Sequence, residues 1–193
     1  MEPTKTKSDL VLYRLFQLIS PSLPIGGFTY SQGLEWAVEA GWVDGRHAME
    51  DWLANMLLNS VATLELPLIE QYMQALRDDD MEKIRHCSEL LYSSRETREL
   101  RAEERQRGLA LKTLLKQLDI EHACFLDEEL EMNQLLGLCI AAQHWNIESL
   151  ALKQGYLWSW AENLVMAGVK PVSYTHRRCR RPIPWRYGGW RSQ

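Results

Sequence analysis

Apolar residues recur along most of this chain at the three- and four-residue spacing of amphipathic helices. No run alternates between apolar and polar residues with the period of a strand. The helices that this pattern predicts are Leu10–Ile19, Arg46–Val61, Leu64–Leu76, Met81–Tyr92, a charged helix from Arg95 that returns to the core near Leu118, Met132–Trp145 and Glu148–Met166. We therefore predict an all-α, single-domain bundle of roughly seven to nine helices.

Local signals set the ends of several predicted helices. Asp80 is placed to N-cap the helix that follows it. Pro67 suits the first turn of its helix, where a missing N–H costs little. Ser8 or Asp9 is expected to cap the first helix, which leaves Met1–Lys7 polar and frayed.

The segment from Ser20 to Gly41 combines a non-helical entry with a short helix. Pro21 and Pro24 disfavour helix in the residues before them, and the Gly26-Gly27 pair permits backbone conformations that other residues avoid. Gly41 then stands where a C′ glycine ends a helix. On spacing alone this is a joint between two helices. The predicted short helix has Tyr30, Ser31 and Glu35 near its start.

Charge is unevenly distributed along the 193 residues. The net charge is −4, and 46% of the residues are hydrophobic, which is enough for a packed core. Residues 171–193 carry six arginines and no acid, so the first 170 residues have a net charge of −10. An acidic body argues against a nucleic-acid-binding core.

The cysteines and the apolar runs indicate a cytoplasmic protein. The widely scattered Cys87, Cys124, Cys139 and Cys179 form no CxxC pair, so neither a zinc site nor a redox motif is predicted. The sequence shows no signal peptide and no dense set of cysteines such as disulfide-rich proteins have, so we expect its thiols to be reduced. The apolar run Leu10–Ile19 is too short and too polar to span a membrane.

The usual catalytic patterns are missing from the sequence. It contains no GxxxxGK[ST] loop for phosphate binding and no Glu-x-x-His motif for a di-metal site in a helical bundle. Ser31 has no histidine in its segment to act as a base, and lone histidines are more often structural than metal ligands. We therefore predict no catalytic residue, no metal site and no cofactor, as in a protein that works by contact with partners.

Three segments resemble the urease accessory protein F (UreF) family, and they occur in the family's order. LPIGGFTYSQGLEWAVEAGWV resembles the family's N-terminal signature. RETRELRAEERQRG at Arg95–Gly108 and NLVMAGVK at Asn163–Lys170 resemble two later segments. The resemblance covers roughly Asp9 to Lys170. It implies an all-helical fold and a protein that is not itself an enzyme.

The resemblance also implies partners. Family members bind urease accessory protein D (also called H) and recruit the nickel-carrying GTPase G, whose GTP hydrolysis gates nickel delivery to apo-urease. They regulate the GTPase and form a homodimer within the complex. Nucleic acid and membrane are not expected as partners. The alternatives are a generic helical adaptor, which would capture other proteins, and an unrelated enzyme with a cofactor pocket, which would purify with a chromophore or metal.

The resemblance ties its three segments to contact with the GTPase. We therefore expect Glu35, Glu99 and Lys170 to bind the partner. The other residues expected at this surface are Gly26, Gly27, Tyr30, Ser31, Gly33, Arg95, Glu96 and Arg98. For each charge the alternative is an ordinary solvated residue, and Glu35 would also suit the positive end of a helix dipole.

The last 23 residues depart from the resemblance. We divide the chain into a helical domain, residues 1–170, and a basic tail rich in proline, glycine and arginine, residues 171–193. Pro171 and later prolines and glycines predict that this tail is not a regular helix. Either the tail is genuine and contacts an acidic or anionic surface, or the reading frame of the source sequence has shifted near codon 170. A shifted frame would impair binding to accessory protein D.

Overall fold

The computed structural model describes residues 4–25 and 33–178 of the chain. The described residues form α-helices and no strand, which confirms the predicted all-α fold. The helices are α1 (Thr4–Ile19), α2 (Leu34–Glu39), α3 (Arg46–Met56), α4 (Leu66–Arg77), α5 (Met81–Ser93), α6 (Arg98–Gln117), α7 (Gln134–His144) and α8 (Ser149–Arg178). A π-helical segment, Leu57–Glu65, joins α3 to α4, and a 3-10 turn lies at Ala123–Phe125.

The centre of the bundle is α7, which packs against α4 and α6. Its sequence QLLGLCIAAQH is apolar around the whole circumference from Leu135 to Ala142, and all eight of these residues are buried. A helix of this kind has to be surrounded by protein. Gly137 lets α6 approach, because a Cβ at this position would lie 2.6 Å from Cδ2 of Leu111.

Buried hydrogen bonds fix the start of α7. Asn133 caps the helix by accepting from the backbone N–H of Leu136 at 2.9 Å. Its amide nitrogen donates to the Tyr72 hydroxyl at 3.0 Å and to the Ser88 hydroxyl at 3.1 Å. The Tyr92 hydroxyl donates to the carbonyl of Met132 at 2.8 Å. These bonds tie α7 to α4 and α5, and they satisfy polar groups that would be costly to bury alone.

The predicted ends of α2 and α5 are confirmed. Gly41 has φ +77°, and the N–H of Trp42 donates to the carbonyl of Ala37 at 2.8 Å, as in a Schellman C-terminus. Asp80 caps α5 by accepting from the N–H of Lys83 at 2.9 Å. At the start of α2, Gly33 has φ +87°, a conformation that favours glycine.

Three predicted helix boundaries are wrong. Helix α1 begins at Thr4, so neither Ser8 nor Asp9 caps it, and part of the expected frayed end is helical. The helices predicted to end at Val61 and begin at Leu64 are continuous, because α3, the π-helical segment and α4 follow without a break. Helix α8 continues past Pro171 to Arg178, although a proline inside a helix removes one hydrogen bond.

One stretch among the described residues has the length and composition of a membrane-crossing helix. It runs from Arg46 to Arg77, and 22% of its most apolar window, of mean hydropathy 1.2, is buried. One such helix is weak grounds for a membrane span, because core helices share these properties. Its C-terminal part, α4, packs against α5, α7 and α8 as a core helix does.

Candidate partner-binding site

The first turn of α6 places the charges of the RETREL segment. Thr97 is the N-cap, and its hydroxyl accepts from the N–H of Leu100 at 3.2 Å. Arg95 therefore precedes the helix, and its carbonyl accepts a hydrogen bond from Arg101 Nη1 at 2.8 Å. Glu99 lies in the first turn, where the helix dipole favours a carboxylate.

Arg95 turns inward and does not lie with the surface charges. Its Nη2 lies 2.7 Å from Oε1 of Glu65 and 3.0 Å from Oε2 of Glu104. The side chain of Arg95 is 13% exposed, and those of Glu65 and Glu104 are 1% and 2% exposed. Burial lowers the pKa of Arg95, but the two carboxylates more than offset this and leave the pKa raised. The guanidinium thus stays charged between them.

Tyr156 of α8 completes the contact with Glu65. Its hydroxyl donates to Oε2 of Glu65 at 2.6 Å. Burial and the neighbouring carboxylate raise the pKa of Tyr156 well above its ordinary value, so it remains a neutral donor. Glu65 therefore connects the end of the π-helical segment to α8 and, through Arg95, to the loop before α6.

Glu103 and Arg107 extend the buried charges along α6. Arg107 Nη2 lies 3.2 Å from Oε1 of Glu103 and 3.7 Å from Oε2 of Glu104. Burial raises the pKa of the Glu103 carboxyl even though Arg107 opposes the shift. Glu104 also accepts from the backbone N–H of Gln134 at 3.1 Å, which links α6 to the first residue of α7.

Glu96, Arg98 and Glu99 lie on the outside and form what we call the charged strip. All three are exposed. Spacings of three and four residues would allow Arg95 to pair with Glu99 and Arg101 with Glu104 along a helix. Instead Arg95 pairs with Glu104, and Arg101 donates to the Arg95 carbonyl. Within the part of the chain that the structure describes, no ion pair engages the strip.

The other predicted site residues are only partly placed. Gly26, Gly27, Tyr30 and Ser31 lie outside the described residues. Gly33 is the exposed N-cap of α2. Glu35 is on α2 and Lys170 is on α8, two helices that pack against each other. The structure therefore groups Arg95, Glu96, Arg98 and Glu99 around the start of α6.

Sequence reasoning missed the buried partners Glu65, Glu104 and Tyr156. Glu65 does carry a signal, because it is the single acid in the apolar run VATLELPLI. A lone carboxylate on the apolar side of a helix needs a cation inside the fold. Nothing in the sequence shows that Arg95, 30 positions later, is that cation.

Candidate metal ligands are scattered among the described residues. In these ranges no group of three or more His, Cys, Asp or Glu is arranged to hold a metal ion. His47 comes within 3.9 Å of Glu50 and 3.8 Å of Asp51, but all three are well exposed on α3. The site offers an anchored arginine beneath a row of solvated charges, an arrangement suited to recognition by a partner.

Comparison with known proteins supports the resemblance. A sequence model of the UreF family matches residues 43–181, so the match extends beyond Lys170, where we expected it to end. A urease accessory protein UreF from Pseudomonas putida is 46% identical over 167 residues, covering 86% of this chain and 75% of the relative. A UreF from Alcanivorax borkumensis is 46% identical over 172 residues with the same coverage. One from Marinomonas is 36% identical over 165 residues, covering 86% and 71%.

Proposed function

Because this chain belongs to the UreF family of urease accessory proteins, we propose that it acts in the incorporation of nickel into apo-urease. In this proposal it binds accessory protein D (or H), recruits and regulates the nickel-carrying GTPase G, and dimerises within the complex. It works in the cytoplasm by contact and catalyses no reaction itself. The support is the family membership, together with an acidic helical body that carries surface charges.

The charged strip is the part of the site that we propose meets a partner. Glu96, Arg98 and Glu99 are exposed, while the neighbouring Arg95 is held between two buried carboxylates. This single observation carries the proposal. A backbone that Arg95 holds in place loses little conformational entropy when its exposed charges bind a partner. We propose that Glu35 and Lys170, in the other two matched segments, contribute to the same GTPase contact.

Deletion of the gene in a urease-positive host tests the proposed function. We expect the deletion strain to contain urease protein at the normal level but with little nickel and little activity. Nickel content per urease active site, measured on the purified enzyme, separates failed metal delivery from failed expression. A deletion strain with normally nickel-loaded urease would contradict the proposal.

Affinity capture separates the proposal from the generic-adaptor alternative. A tagged copy expressed in the same host should bring down accessory protein D and GTPase G, identified by mass spectrometry. Capture of unrelated proteins without either of these would favour the adaptor reading.

A further inference from the structure

Two exposed tryptophans form a pair on the surface beside α2. Trp36 lies on the helix, and Trp42 follows the turn at Gly41 that ends it. Their ring centroids are 4.6 Å apart, and the ring planes are nearly perpendicular, at 86°. Trp36 is 57% exposed and Trp42 is 62% exposed. An exposed apolar patch of this kind often marks an interaction site, and we call these two residues the tryptophan pair.

The fold does not need this much aromatic surface to hold α2. In a Schellman turn the residue after the glycine often packs against the last turn of its helix, and the contact between Trp42 and Trp36 has this form. The packing of α2 on the core comes from other residues, because Leu34, Ala37 and Val43 are all buried. More than half of each indole therefore remains available after the turn has formed.

Exposed carboxylates accompany both rings. Glu39 follows Trp36 by three positions on α2, a spacing that places two side chains on the same side of a helix. Asp44 follows Trp42 by two positions, and it is exposed as well. Within the described ranges, no ion pair engages either carboxylate. The faces of aromatic rings are also negative, so rings and carboxylates together favour a cation at this surface.

The rest of the protein shows how such rings are usually satisfied. Arg14 lies 4.9 Å from the ring centroid of Trp145, and Arg105 lies 5.7 Å from that of Tyr92. Among the residues that the structure describes, no cation lies over the tryptophan pair. The sequence supplies none nearby, because residues 15–45 contain three acids and no Lys, Arg or His. The next cation along the chain, Arg46, is bonded to an acid of its own helix at 2.8 Å.

We propose that the tryptophan pair and Glu39 bind an arginine side chain that a partner protein presents. A guanidinium within about 6 Å of an indole centroid is attracted by the ring, and its planar fork also matches a carboxylate. Arginine fits this surface better than lysine, because a guanidinium is less strongly hydrated and stacks on aromatic faces. The inference rests on the chemistry beside α2, and it does not depend on the proposed function.

NMR titration of the full-length protein with a short peptide tests the site. The indole N–H signals of Trp36 and Trp42 are assigned from the variants Trp36→Leu and Trp42→Leu. They are then followed while acetyl-Gly-Arg-Gly-amide is added at low salt, where exposed charges are least screened. The matched peptide carries citrulline, which has the shape of arginine without its charge. Trp158 of α8, which is 65% exposed, is the reference ring.

We expect the arginine peptide to shift both signals of the tryptophan pair along a saturable curve. The citrulline peptide should shift neither signal, and Trp158 should respond to neither peptide. Equal shifts with the two peptides, or an equal response of Trp158, would overturn the proposal. This arm uses the wild-type protein for the binding measurement, so it does not depend on how well a variant folds.

Two variants test the assigned contacts. Trp42→Leu, followed through the Trp36 signal, should weaken binding of the arginine peptide by about two- to fivefold. Glu39→Gln should weaken it by a similar factor of about two to five. The matched control is Glu128→Gln, which removes an exposed acid from the connection between α6 and α7 and should leave the affinity unchanged. Equal weakening in Glu39→Gln and Glu128→Gln would show a general charge effect and overturn the site.

Other occupants of this surface give different results. A second copy of this chain would shift the indole signals of the tryptophan pair with protein concentration, before any peptide is added. A lipid surface would broaden them when phosphatidylglycerol vesicles are added, since tryptophan favours the interface of a bilayer. Either response, in a protein whose signals do not distinguish arginine from citrulline, would overturn the proposal.

Discussion

Arg95→Met is the substitution that most sharply separates an internal anchor from a surface charge. The guanidinium contacts Glu65 and Glu104, whose side chains are only 1% and 2% exposed. Removal of the cation leaves both carboxylates buried, with Glu104 still 3.7 Å from Arg107 and Glu65 bonded only to Tyr156. Breaking a buried ion pair by removing one partner costs about 3–5 kcal/mol.

The expected change in melting temperature follows from that cost. In a domain of this size each kcal/mol lowers Tm by roughly 2–4 °C, so Arg95→Met should lower it by about 6–20 °C. Arg98→Met is the matched control, because it makes the same change three positions away at an exposed side chain. We expect it to alter stability by less than about 0.5 kcal/mol.

Thermal and urea unfolding of the two variants measure the difference. A loss of less than about 1 kcal/mol in Arg95→Met, or equal losses in the two variants, would refute the reasoning. Arg95 would then be a solvated charge like its neighbours, and the buried cluster would not stabilise the fold.

Three further predictions follow from single sites. Gly108→Ala should lower the free energy of unfolding by about 1–3 kcal/mol, because its Cβ would lie 2.2 Å from the Met132 carbonyl oxygen. Gly45→Ala is the control, because its Cβ would have no atom within 4 Å, and it should be nearly neutral. Equal losses of the two variants in urea unfolding would refute this. His122 accepts a hydrogen bond from the N–H of Cys124 through Nδ1, and burial lowers the pKa of the imidazole below 6.5. The neutral imidazole therefore contributes stability that is complete above pH 6.5 and is lost as the pH falls through the lowered pKa. An NMR titration showing an ordinary or raised pKa would contradict this. Cys124 is fully buried, and burial also raises its pKa to about 11, so a thiol reagent at pH 8 should modify it only as fast as the protein opens; rapid modification would contradict this.

Much of the fold could be predicted because its signals are local. The helical period identifies α4, α5 and α7. Single residues mark the ends of other helices too, such as Asp80 at the start of α5 and Gly41 after α2. The division between Val61 and Leu64 was wrong because a π-helical segment has no sequence signature that separates it from a helix end. Pro171 predicts a helix break, yet the backbone of α8 continues through it.

The candidate site was harder to predict because its organisation is tertiary. The segment from Arg95 to Gln106 has the composition of a solvated helix face. In the fold, Glu103 and Glu104 are buried and Arg95 reaches Glu65 across 30 positions, while Glu99 stays outside as expected. Charge alone does not tell an anchor from a recognition residue, since the difference depends on what another helix places opposite it.

The most direct test of the account is urease activation by a charged-strip variant. The deletion host would be complemented with Glu96→Ala/Glu99→Ala and, as a matched control, with Glu128→Ala/Glu129→Ala, which removes two exposed acids from the connection between α6 and α7. Truncating a charge buried against a partner costs about 2–5 kcal/mol of binding, which weakens the complex roughly thirtyfold or more.

The measurement is the nickel content per urease active site, taken together with the melting temperature of each purified variant. The account predicts that both variants melt within about 4 °C of the wild type, since each changes two exposed residues. The strip variant should leave urease largely without nickel, and the control should load it normally. A strip variant that folds normally and loads urease as well as the wild type would contradict the claim that this surface is where the protein meets its partner.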